Sequence, residues 1–364
     1  MALRWRALLS AAGLALAARA EAPPPAPEAP AAAPGSAPAA TPEAARPWNL
    51  DLTVHDFGLG LGNSRHIDGL RLNFRDSAPY TVHGASVTIW GPEHDTTGGD
   101  VTGLALGLPV AAASHLTGLG LGVGVEVQKS LDGVGVGLLG LGSGGGLHGI
   151  FAGGLGLGTG GDLDGIALGG LGIGAGGNVR GLVVGGLGAG AGGNVTGLAL
   201  GGLGVGAGGN VRGLVIGGLG AGAGGDVTGL AIGGLGVGAG GSVRGLAIGG
   251  LGVGAGDSIK GIALGGLGVG SPWIEGVVAA LAVGGEDVRG LVLAPACFHV
   301  PEDGRLTGVS VSAFNRILGE QRGVVIGIFN YAGSLHGLQL GLLNYAGNNS
   351  SGLKLLPIAN AHFD

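Results

Sequence analysis

Few residues in this chain are of a type that does chemistry, and their spacing limits what they can do. The nine histidines (His55, His66, His83, His94, His115, His148, His299, His336 and His362) are dispersed over 364 residues. None falls in an H-E-x-x-H pair, and neither a P-loop nor a G-x-S-x-G elbow is present. The densest polar cluster, Glu93-His94-Asp95 within WGPEHDTTGGD, reads as a solvated loop rather than a metal or acid–base site. Gly160-Gly161-Asp162 and Gly224-Gly225-Asp226 have the look of calcium-binding β-roll repeats. Their equivalents elsewhere are mostly Asn or Ser, so turn-forming Asx residues are the better reading. Glycine density generates G-x-G-x-x-G matches, but none is followed by a helical pattern and a placed acidic residue, as dinucleotide binding requires. Cys297 is the only cysteine, which excludes an intramolecular disulfide and a cysteine metal site. Asn194-Val195-Thr196 and Asn348-Asn349-Ser350 fit the glycosylation pattern, as chance allows in such a repeat. The expectation is a non-enzymatic protein with no catalytic residues, no metal site and no cofactor.

What must position any side chain here is a glycine-rich framework. The chain has 91 glycines, 45% hydrophobic, 11% charged and 4% aromatic residues. Soluble globular domains carry about 25% charged residues. A mean hydropathy of +0.52 argues against disorder, which goes with low hydrophobicity and high charge. The net charge of −6 is small and scattered, so nucleic acid is not an expected partner.

The N-terminus, MALRWRALLSAAGLALAARA (residues 1–20), has two arginines, an apolar run from Ala7 to Ala18 and an A-x-A close. It reads as a signal peptide, too short to span a membrane. No cysteine follows it, which disfavours lipid anchoring. Residues 21–47 hold nine of the sixteen prolines and read as an extended linker. Residues 48–364 are expected to form one β-repeat domain, with no transmembrane helix.

From Gly161 to Gly270 the period is sixteen residues: Asn178, Asn194, Asn210, Asp226, Ser242 and Ser258 are equivalent. Residues 48–364 hold roughly 18–20 such units, which makes a repeat architecture the first hypothesis. In each unit Gly-Gly-Asn is expected to supply the positive φ angles of a tight turn. A strand follows, since glycine at alternate positions is incompatible with helix. Over Val179–Ala191 one face carries Val179, Val183, Leu187, Ala189 and Ala191. The other carries Arg180, Leu182 and Val184, then only Gly186, Gly188 and Gly190.

Two all-β architectures fit. The first is an antiparallel meander closed into a barrel or barrel-like ring, its strands long enough to cross a membrane; a variant bends each unit at Gly185-Gly186. The second is a β-solenoid of about 19 coils, a rod of roughly 90 Å. Val183/Ala189, Ala199/Val205, Val215/Ala221, Ala231/Val237, Ala247/Val253 and Ala263/Val269 alternate in size. Antiparallel pairing would sort the valines to one rim, with Ala247 and Val253 as exceptions, and this tilts the expectation towards the barrel. Duplication of a 32-residue block accounts for the same pattern.

The segment GVVIGIFNYAGSLHGLQLGLLNYAGNNSSGLKLLPIANAHFD (323–364) resembles the closing segment of bacterial envelope repeat proteins that carry GLQxGLxN-type units after a signal peptide. The central GG(N/D)VxGLxxGGLGxGA units look like a glycine- and alanine-rich version of those repeats. The resemblance implies an all-β surface or outer-membrane protein and supplies no catalytic residues. Val183 and Ala189 stand where that family often has Gln and Asn. Phe363, next to last, looks like a degraded barrel-closing aromatic, although 4% aromatics is low for membrane girdles. The expected role is structural or pore-like, in or on the outer membrane, with outer-membrane or cell-surface components as partners. The alternative is a surface-displayed solenoid acting as an adhesin or spacer.

Overall fold

A computed structural model describes residues 48–76, 79–90 and 98–363. The signal-peptide and linker expectations (1–20 and 21–47) lie outside the described residues, as does Glu93-His94-Asp95. Each central unit forms two strands, a long one such as Val179–Gly185 and a short one such as Gly188–Ala191. The chain bends at Gly186-Leu187 and again at Gly192-Gly193-Asn194. Two reversals per unit return it to its starting direction one rung along. Val179–Gly185 therefore lies parallel and in register between Leu163–Gly169 and Val195–Gly201. Gly188–Ala191 lies likewise between Gly172–Ala175 and Gly204–Ala207. Long strands stack into one wall and short strands into a facing wall, a β-solenoid.

The barrel expectation is thereby overturned, because successive units pair parallel rather than antiparallel. Their Val/Ala alternation marks facing walls, not opposite rims. Residues 183 and 189 lie on the two inner walls and are buried in one core. Gly135 and Leu141 occupy the same two columns three coils earlier. A Cβ at Gly135 would collide with Leu141 Cδ1, so the two columns meet across the core. Each coil from Val183 to Val269 thus puts one valine opposite one alanine, and the combined volume stays constant. Ala247 and Val253, anomalous as rim residues, obey this rule.

Two further expectations are corrected. Positive φ falls not in the Gly-Gly-Asn turn but inside the long strand, at Gly181 (φ 120°) and its equivalents. Eighteen such glycines run from Gly69 to Gly337, one per coil. A Cβ at Gly181 would collide with the carbonyl oxygen of Gly165, so conformation and close approach both exclude a side chain. Leu187, placed by simple alternation beside Val183 on one face, is instead turned outward by the bend at Gly186-Leu187 and is half exposed.

Both ends of the stack are closed by reversed strands. Asn49–Val54 runs antiparallel to Phe57–Gly62, and Leu355–His362 runs antiparallel to the segment Gly337–Tyr345. The interior also changes character towards the ends. Apolar in the centre, it holds Arg71, Asn73, Asp76, Ser86 and Thr88 near one end and Asn315, Gln321, Asn330, Gln339 and Asn344 near the other, all buried.

Candidate functional site

Three polar arrangements could bear function, and all are made by stacking. The first is the ladder at the turn. Asn194 donates its backbone N–H and its side-chain Nδ2–H to Asn178 Oδ1, both at 2.9 Å. Asn210 repeats this on Asn194 at 2.8 and 3.1 Å. Asp226 N–H donates to Asn210 Oδ1, and Ser242 N–H to Asp226 Oδ1, each at 2.8 Å. At the ladder's other end the Asn178 N–H donates to Asp162 Oδ1 at 2.7 Å. That bond, assisted by Arg180, holds the Asp162 carboxyl below the usual carboxylate range. The Asx side chains bond not within their own turn but to the backbone of the next coil, sixteen residues on.

The second is the charged corner one residue before each positive-φ glycine. His148 lies between Asp132 (Nδ1–Oδ1 3.0 Å) and Asp164 (Nε2–Oδ2 3.8 Å), and Arg180 follows on Asp164 at 3.1 Å. At the N-terminal end of this corner Asp68 stands opposite His83, with His83 Nδ1 2.8 Å from Asp68 Oδ1. The His66 and His83 rings meet edge-on at 5.8 Å. Among the described residues, His66, Asp68 and His83 form the group able to share a metal ion, their ligand atoms lying within 4.8 Å of one another. Two imidazoles and a carboxylate suit a divalent transition metal, although Asp68 and His83 already satisfy each other. Sequence reading treated these histidines as dispersed. Aligning Gly69 with Gly84 would have brought Asp68 and His83 to the same position of adjacent coils.

The third is buried. Arg71 pairs with Asp76 (Nη1–Oδ1 2.7 Å) and lies 3.9 Å from the centre of the Tyr80 ring. Asn73 and Thr88 also donate to Asp76, at 2.7 and 3.2 Å. Burial and the Asp76 charge push the Tyr80 hydroxyl far above its ordinary value; it donates to Ala112 O at 2.9 Å. Arg71 Nε and Nη2, buried in the same network, have no hydrogen-bond partner among the described residues. In the C-terminal coils Asn315 donates to Asn330 at 2.8 Å and Asn330 to Asn344 at 2.7 Å. Gln339 donates to Gln321 at 2.9 Å. Asn315 continues the Ala189 column through Phe298. The column that holds Ala189 centrally therefore carries a polar ladder at this end.

Cys297 is partly buried, and burial raises its thiol pKa against the lowering effect of Arg316. His299 is shifted down by burial and by Arg316. The surface also carries exposed apolar residues in register. Leu139 and every sixteenth residue to Leu267 form a column of nine leucines, each 49–56% exposed. Beside it an open groove of about 830 Å³ passes over Gly140, Gly142, Gly156 and Gly158. Comparison with family models, curated proteins and solved structures finds no match.

Proposed function

We propose that this chain is an exported, non-enzymatic surface protein of the bacterial envelope-repeat type, in which a β-solenoid rod serves as a spacer or adhesin. The observation that carries this reading is the single uninterrupted stack of coils from Gly69 to Gly337, closed at both ends by reversed strands. Eighteen coils at about 4.8 Å each make a rod of about 85 Å. Such a body offers length and periodic side faces. A pore-like role would need a lumen, whereas the space between the walls is filled by Val, Ala and Leu side chains. Cell-surface components remain the expected partners.

The test combines shape with location. Small-angle scattering of the purified chain should give a rod-like profile of about that length, and protease added to intact cells should cleave the chain. A globular scattering profile, or a chain protected until the cells are lysed, would refute the proposal.

A further inference from the structure

The outer side of the short wall has a shape that the fold itself does not require. In the Gly190 column, a Cβ would meet nothing within 4 Å at Gly142, Gly158, Gly174, Gly206, Gly238 or Gly254. None of these glycines has positive φ. Others in a coil, Gly181, Gly186 and Gly192, are excluded from bearing a side chain by the backbone of the previous coil. Exposed strand glycine costs about 0.5–1 kcal/mol relative to alanine, and here it recurs in every coil from Gly142 to Gly270. The result is a bare trough. Directly beside it runs the ridge of nine half-exposed leucines, Leu139 to Leu267. Contiguous apolar surface of this extent marks an interaction site.

Ridge and trough are parallel, adjacent and share one period, because both are set by the same strand stacking. We propose that this face pairs with a second copy of the chain, the leucine ridge of each copy filling the glycine trough of the other. A two-fold axis parallel to the solenoid axis, midway between ridge and trough, exchanges them and makes the contact self-complementary. It leaves the two rods parallel, with both N-termini at the same end. Nine coils give a strip about 43 Å long and about 16 Å wide, or about 700 Å² per copy. The pair would bury about 1,400 Å², within the roughly 1,200–2,000 Å² of stable interfaces. Within these nine coils the outward Gly188 and Gly190 columns hold only glycine, and the exposed Glu126 flanks the strip one coil before Gly142.

Sedimentation of the purified full-length chain should show a dimer. The triple variant Gly174→Glu, Gly206→Glu, Gly238→Glu puts side chains into open space, so it should keep the wild-type circular dichroism and melting temperature while dissociating at least about tenfold more readily. If that variant misfolds, Leu171→Gln, Leu203→Gln, Leu235→Gln removes the ridge instead. Chains carrying Leu203→Cys and Gly206→Cys separately, each with Cys297→Ser, should form a mixed disulfide when combined. A wild-type monomer at the highest attainable concentration, or a folded triple variant that still dimerises, would overturn the pairing. A monomer that floats with phospholipid vesicles would assign the face to lipid and overturn it equally. These readouts use no cells, so they succeed or fail independently of surface display.

Discussion

Val183 and Ala189 face one another across a core only two side chains thick, and their sizes trade places from coil to coil. Interiors pack at near-crystalline density, so a wall-to-wall spacing fixed by the stack leaves room for one large and one small residue. Which wall carries the larger is free. The prediction is therefore about coupling. Val183→Ala alone should cost about 2 kcal/mol through the cavity it leaves. Ala189→Val alone should cost about 1–3 kcal/mol through overpacking. The double variant should be more stable than the sum of the two, because it reproduces the arrangement of the next coil, Ala199 with Val205. Denaturant melts of all four proteins measure the coupling; strict additivity would show that the two positions do not share a cavity.

At the scale of the strand, glycines that look alike in sequence have different physical reasons. Gly181 interrupts the long strand at positive φ under the carbonyl of Gly165, whereas Gly206 faces open space. Gly181→Ala should destabilise the chain by several kcal/mol, since strain and collision coincide. Gly206→Ala should be neutral or stabilise by about 0.5–1 kcal/mol. Thermal melts of the two variants at low protein concentration make the comparison without contribution from association. Equal effects would mean that the positive-φ position is not what holds the corner. The same division explains why the turn glycines were legible as necessary but misassigned in cause. Gly192 and Gly193 are pressed against Gly176 and Asn178 of the preceding coil, contacts between residues sixteen and fifteen apart that leave no local signature.

For the molecule as a whole, parallel stacking creates two open edges, and open edges recruit other strands. Leu355–His362 covers the last coil by pairing antiparallel with Gly337–Tyr345. Repeat arrays need such caps for solubility. Deleting residues 354–364 should expose the edge of the Gly337 coil and produce end-to-end association, seen as particles lengthened in multiples of the rod under electron microscopy. A deletion variant that stays monodisperse at rod length would show that the buried Asn315–Asn330–Asn344 ladder protects the edge by itself.

The sixteen-residue period and the all-β character were legible in sequence, whereas the Val/Ala alternation was visible but pointed to two rims rather than two facing walls. Period and β character are set by local conformational preference or by composition repeated at fixed spacing. Whether units pair parallel or antiparallel was not legible, because alternation fixes which side a residue faces within a strand but not the direction in which the next strand returns. That direction depends on the bend at Gly186-Leu187, which also turned Leu187 away from the face it shares with Val183 by alternation and onto an outer ridge. The grouping of His66 and Asp68 with His83 was hidden for the same reason, since adjacency between coils exists only once the register is fixed. Sequence alone determined what repeats; the tertiary structure decided what each repeat faces, because in a solenoid every lateral neighbour is supplied by the next turn of the chain.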